Sequence, residues 1–111
     1  MTLPRFKLVF TVPPTHLSAC KSAVFAAGAG RYPGPGGYTE CCFMSRGAGQ
    51  FRPGSEANPA IGEVGKLEEL EVVRVETLCQ GRECAEKAVE ALKGAHPYEE
   101  PAYEVYKIED F

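Results

Sequence analysis

The segment His96-Pro97-Tyr98-Glu99-Glu100-Pro101-Ala102-Tyr103-Glu104-Val105-Tyr106 sets an imidazole, two carboxylates and a tyrosine between two prolines, then enters an alternating pattern. Pro97 and Pro101 hold the residues before them in extended conformations. The polar groups therefore sit on a stiff connection, and a strand follows from Ala102 to Ile108. Upstream, Glu83 to Lys93 reads as a helix with Ala85, Ala88, Val89 and Leu92 on one apolar stripe. Glu83 and Lys87 form an i, i+4 pair on its wet side, and Gly94 is its expected end. The His96–Glu100 segment has two readings at this point: a rigid entry into a last strand, or part of a site.

Outward from this helix–strand ending, the rest of the chain has a matching order. Phe6, Leu8, Phe10 and Val12 alternate with Lys7, Val9 and Thr11 as a first strand, ended by Pro13-Pro14. Thr15 is the expected cap of a helix from His16 to Ala27, with Leu17, Cys20, Val24 and Ala27 on one stripe and Gly28 as its stop. Gly28 to Gly37 is a tight connection rich in glycine and proline. Tyr38 to Ser45 is expected as a second strand, in which Cys41 and Cys42 point to opposite faces. Leu70 to Cys79 is the third, with Val73, Val75 and Thr77 on one face. The order β-α-β-β-α-β is that of a ferredoxin-like α+β sandwich. It predicts an antiparallel sheet of order 4-1-3-2, both helices on one face, and residues 1–111 as a single domain.

Composition narrows the function classes. The net charge is −3 and the basic residues are scattered, which excludes an electrostatic footprint for nucleic acid. No apolar run reaches the ~20 residues that span a bilayer. The start, Met1-Thr2-Leu3-Pro4-Arg5-Phe6-Lys7, lacks the pattern of a signal peptide. Cys20, Cys41, Cys42, Cys79 and Cys84 are odd in number and form no Cys-x-x-Cys pair, so no disulfide framework or standard zinc site is signalled. Free cysteines packing as small apolar residues in the cytoplasm are the expectation.

Arg46 to Lys66 is expected as a long linker between the second and third strands. Linkers of ~20 residues inside a compact domain are usually functional. Gly62-Glu63-Val64-Gly65-Lys66 is not a phosphate loop: the glycine spacing is wrong, no Ser or Thr follows Lys66, and a strand follows where a helix is required. Arg46, Arg52 and Lys66 can meet an anion beside exposed glycine amides, or be solvated. The wiring brings Thr15-His16, this linker and His96–Glu100 to one rim of the sheet. Gln50, Tyr98 and Glu99 join Arg46, Arg52 and Lys66 there as expected ligand-binding residues. His16, at the start of its helix where the dipole favours a neutral ring, His96 and Glu100 form an expected ligand set for a divalent metal ion. No cofactor fingerprint is present beyond that metal.

Thr11-Val12-Pro13-Pro14-Thr15-His16, Gly28-Ala29-Gly30, Gly49-Gln50-Phe51-Arg52-Pro53, Ala57-Asn58-Pro59-Ala60-Ile61-Gly62, Gly65-Lys66-Leu67-Glu68 and His96-Pro97-Tyr98-Glu99-Glu100-Pro101-Ala102 together resemble the Nif-three-like family. More narrowly, they resemble the domain inserted in the middle of many bacterial members, and the match covers nearly the whole chain. The His-Pro-Tyr-Glu segment is also similar to one in the CutA family of divalent-cation tolerance proteins. The resemblance implies a CutA-like and PII-like ferredoxin fold that assembles as a trimer or dimer. It also implies that the loop between the second and third strands, here Arg46 to Lys66, responds to ligand. Full-length relatives carry flanking halves with a two-metal site, and some are named as a type of GTP cyclohydrolase; that chemistry does not carry over. Tyr32-Pro33-Gly34-Pro35-Gly36-Gly37 and Cys41-Cys42 depart from the family pattern. The expected function is a non-catalytic, homo-oligomeric binding or regulatory module with a metal ion or small anion at the rim. One alternative is a protein-interaction module using the uncovered sheet face, with Tyr103 or Tyr106, Val9 and Val72 as its residues. The other is a metal-dependent hydrolase with His96 and Glu99 or Glu100 as an acid–base pair.

Overall fold

The computed structural model describes residues 3–111; Met1 and Thr2, where the reading for a leader began, lie outside the described residues. Strand β1 (Arg5–Val12) is one of two central strands. Its inward alternation places Phe6, Leu8, Phe10 and Val12 against the helices. A 3-10 turn at Pro14–His16 leads into helix α1 (Leu17–Ala26). The chain then runs through an irregular connection to β2 (Phe43–Phe51), β3 (Glu68–Gln80), helix α2 (Arg82–Ala95) and β4 (Tyr103–Ile108). The sheet order is β2-β3-β1-β4 with every neighbouring pair antiparallel. This is the expected 4-1-3-2 order read from the other edge, and the fold is the expected ferredoxin-like α+β sandwich.

Both helices pack on one face. Cys20 and Val24 of α1 join Ala85, Ala88 and Leu92 of α2 over Phe6, Leu8, Phe10, Val12, Val73, Val75 and Cys79 in one buried cluster. The expected helical stripes are those that face it. The Glu83–Lys87 pair forms at 3.0 Å on the solvent side of α2. No described helix is long and apolar enough to cross a membrane.

Three local expectations are corrected, and one pair of alternatives is resolved. Thr15 does not cap α1; its hydroxyl oxygen lies 3.0 Å from His16 Nδ1, and the helix starts without a side-chain cap. Helix α2 continues through Gly94 to Ala95, because His96 N–H still donates to the Leu92 carbonyl at 2.8 Å. Of Tyr103 and Tyr106, the alternatives for the open side, Tyr106 lies there, whereas Tyr103 faces the helices, packs against the core and has Lys93 over its ring.

The largest correction concerns β2, which starts five residues later than Tyr38 and runs on through Gly47 and Gly49 into the expected linker. Tyr38–Cys42 precede it, held instead by a cross-link to the core: Cys41 N–H donates to the Gly30 carbonyl at 2.9 Å, and Thr77 Oγ1 donates to the Cys41 carbonyl at 2.8 Å. Cys41 and Cys42 therefore lie outside any strand, with Cys42 packed against the core. Glycine has poor strand propensity, yet Gly49 suits β2 because Val72 of β3 lies close. A Cβ at Gly49 would stand 3.1 Å from the Val72 side chain.

Strand β1 pairs β3 only from Val73 onward, whereas β2 pairs β3 from Glu68. The segments 47–51 and 68–72 thus form a two-stranded arm past the end of β1. The true connection between β2 and β3 is residues 52–67. On the side away from the helices, the sheet shows Val9 and Lys7 of β1, Tyr106 and Glu104 of β4, Val72, Arg74, Glu76 and Leu78 of β3, and Phe43 and Phe51 of β2.

Candidate functional site

His96 ends α2 with an extended backbone and is buried, only 6% exposed. Tyr98 N–H donates to its Nδ1 at 3.2 Å, so that nitrogen carries the lone pair. The hydrogen is therefore on Nε2, which donates to the Thr11 carbonyl at 2.8 Å. Burial, foremost, pushes its pKa down; the Thr11 contact opposes this, and the nearby His16 adds to it. A neutral ring thus joins the ends of β1, α2 and the His96–Tyr98 turn. His16 is exposed and at the same end of the molecule. Both His96 nitrogens are already engaged, and among the described residues no three His, Cys, Asp or Glu side chains are grouped to hold a metal ion.

Tyr98 packs edge-on to His96, with ring centres 4.9 Å apart, and meets Phe51 on its other side at 6.0 Å. This row of three rings ties the tip of β2 to the end of α2. Its hydroxyl is the only buried side-chain polar atom without a hydrogen-bond partner among the described residues. Burial and the neighbouring Glu68 carboxylate push the phenol pKa up.

Above the arm, residues 52–67 are closed on themselves at one point and tied to a neighbouring segment at another. Arg52 donates from its guanidinium to the Gly65 carbonyl at 2.8 Å, and Asn58 N–H donates to Glu99 Oε1 at 3.0 Å. Between loop and sheet lies a cavity of about 440 Å³. Phe51, Leu70, Val72 and Ile61 supply apolar wall, and Gln50, Arg52, Tyr98, Glu99 and Glu100 also line it. Of the residues expected from sequence, these last five are brought together. Arg46, Lys66, His16 and His96 do not line the cavity. Arg46 pairs with Glu71 at 3.4 Å and Lys66 with Glu63 at 2.7 Å, so the three expected cations do not converge.

The sequence reading missed Phe51, Leu70 and Val72 as wall, and Asn58 as the residue that ties the loop to Glu99. Alternation through Gly49-Gln50-Phe51 carried the signal for Phe51, but two glycines obscured the strand.

No family model matches the sequence. Over 104 residues, 93% of this chain, it is 42% identical to the GTP cyclohydrolase 1 type 2 homolog of Halalkalibacterium halodurans. The crystal structure of the Bacillus cereus protein related to NIF3 superposes with a TM-score of 0.79 and 37% identity over 99% of this chain. This chain is NIF3-related. It spans about a quarter of the length of both proteins, 27% in each case. The NIF3-related segment also shares its fold with the periplasmic divalent cation tolerance protein CutA of Archaeoglobus fulgidus. That TM-score is 0.63 over 96% of this chain and 86% of the other, at 14% identity, which shows the fold alone.

Proposed function

We propose that this NIF3-related chain is a non-catalytic binding module that takes a small organic ligand between the β2–β3 arm and residues 52–67. The observation that carries the reading is the space itself. The Arg52–Gly65 hydrogen bond closes the loop on itself, Asn58–Glu99 ties it to the segment before β4, and a cavity of about 440 Å³ lies between it and an apolar sheet surface. That volume lies in the range of small-molecule sites, which combine apolar walls with a few placed polar groups. An organic ligand suits these donors better than a metal ion, because His96 is committed to backbone groups on both sides. The same commitment weighs against His96 as a general acid or base.

Titration of isotope-labelled protein with small aromatic fragments tests this. The expected result is saturable shifts of the Phe51, Leu70, Val72 and Tyr98 amides, abolished by Val72→Phe, which fills the space. Shifts scattered over the surface, or surviving that substitution, overturn it.

A second observation favours self-association beside ligand binding. Phe43 and Tyr106 lie on the helix-free face and are 62% and 53% exposed. A one-sided sheet that leaves large side chains in water has a face available for burial.

A further inference from the structure

The charges around the cavity mouth identify the class of ligand. A second, outer bay is lined by Gly54, Ser55, Glu56, Ala57, Glu99 and Glu100. It shares Gly54, Ala57, Glu99 and Glu100 with the apolar cavity, so the two adjoin. Three acidic residues, Glu56, Glu99 and Glu100, line this bay; none has a salt-bridge partner among the described residues, and Glu99 accepts only the Asn58 N–H. The only cation on either lining is Arg52, whose guanidinium is turned to the Gly65 carbonyl. The inner wall is aromatic and aliphatic, and it includes Tyr98, whose hydroxyl is buried without a partner.

We infer that the ligand is a small amphipathic cation, with an apolar or aromatic body seated on Phe51, Leu70 and Val72 and an ammonium or guanidinium group in the Glu56–Glu99–Glu100 bay. The inference rests on the binding reading above and fixes its polarity. An anion would meet three like charges against one engaged arginine, and like charge in a shared cleft opposes binding. A small anion, the class Arg46, Arg52 and Lys66 suggest in sequence, is therefore the wrong sign for this mouth. An uncharged apolar molecule fills the inner space and leaves the bay to water. The size of the space commits the ligand to a free small molecule.

Three matched probes decide the matter on the full chain: 2-(1-naphthyl)ethylammonium, 2-(1-naphthyl)ethanol and 1-naphthylacetate. Affinities come from amide shifts at low salt and again at high salt. The ammonium is expected to bind about fivefold or more tighter than the alcohol, and the carboxylate about fivefold or more weaker. High salt is expected to narrow that spread. In Glu56→Gln/Glu100→Gln the ratio of ammonium to alcohol affinity is expected to fall toward one. If the alcohol binds as tightly as the ammonium, or the carboxylate binds best, the inference is overturned and the cavity reading stands. If no probe binds at the cavity, both are overturned.

Discussion

At the scale of single residues, His96 illustrates what sequence can and cannot signal. An imidazole flanked by Pro97 and two carboxylates draws attention as chemistry. Its actual partners are a backbone carbonyl on β1 and the amide two residues on. Neither is visible in side-chain pattern, because the first contact joins residues 85 positions apart and involves no distinctive side chain. The neutral ring makes stability depend on pH in a defined direction. The unfolded chain takes up a proton near the ordinary value of 6.5, whereas burial lowers the folded-state pKa. The unfolded state thus binds more protons in that window, and stability rises with pH. The contribution is complete above 6.5 and is lost as pH falls through the depressed folded value. Urea unfolding at pH about 7.5 and about 5 is expected to show a lower midpoint in acid for the wild type. His96→Gln, which keeps a donor for Thr11 and cannot ionise, is expected to show a smaller drop. An equal drop would refute the assignment. Tyr98 offers the opposite test. Its hydroxyl is buried without a partner, and such a group costs about 1–3 kcal/mol. Tyr98→Phe is expected to leave the melting temperature unchanged or raise it. A fall would mean that the hydroxyl has a partner.

Elements were legible in proportion to how much of their own pattern stabilises them. β1, β3 and α2 carry apolar alternation or an apolar stripe, and their cores match the expected residues. β2 does not. Its exposed, glycine-containing sequence is extended because it pairs along its whole length with β3, a tertiary cause that overrides propensity. The connection before it is held by packing that only glycine permits. Gly30 has φ +83°, donates to the Leu78 carbonyl and accepts from Cys41. A Cβ there would stand 2.9 Å from both Cys41 N and the Phe25 ring. Backbone strain of about 1–3 kcal/mol adds to overpacking of similar size. Gly30→Ala is therefore expected to lower the melting temperature by about 10 °C or more. Gly94→Ala has the reverse expectation. The glycine lies inside the last turn of α2 with nothing within 4 Å of an added methyl. Alanine there is expected to stabilise by about 0.5 kcal/mol, read as a raised midpoint in urea. Destabilisation would mean that the helix stops where Gly94 alone suggested.

The whole molecule is where the sequence reading was most informative and least complete. Strand order and crossover hand follow from the order of elements, and they bring His16, the β2–β3 connection, expected as Arg46–Lys66 and found as 52–67, and His96–Glu100 to one end. The walls of the cavity do not follow, because they depend on the arm that β2 and β3 form beyond β1. The molecule measures 50 × 25 × 22 Å, and a two-stranded ribbon at its periphery is marginal in water. β2 is also an edge strand, with one row of backbone groups free of any sheet partner. Exposed Phe43 on β2 and Tyr106 on β4 occupy the same uncovered face. Contact between copies through this face would cover both side chains and could shield the edge of β2. Light scattering across micromolar concentrations is expected to give a mass above one chain. Phe43→Asp/Tyr106→Asp is expected to reduce it to one chain while circular dichroism stays unchanged. Hydrogen exchange separates loss of contact from loss of fold. The amides of residues 44–50 are expected to exchange faster in the double variant, whereas those of β1, in the centre of the sheet, keep their protection. A wild-type chain that is monomeric at every concentration would remove self-association and leave the arm stabilised only by its contacts with residues 52–67 and Tyr98.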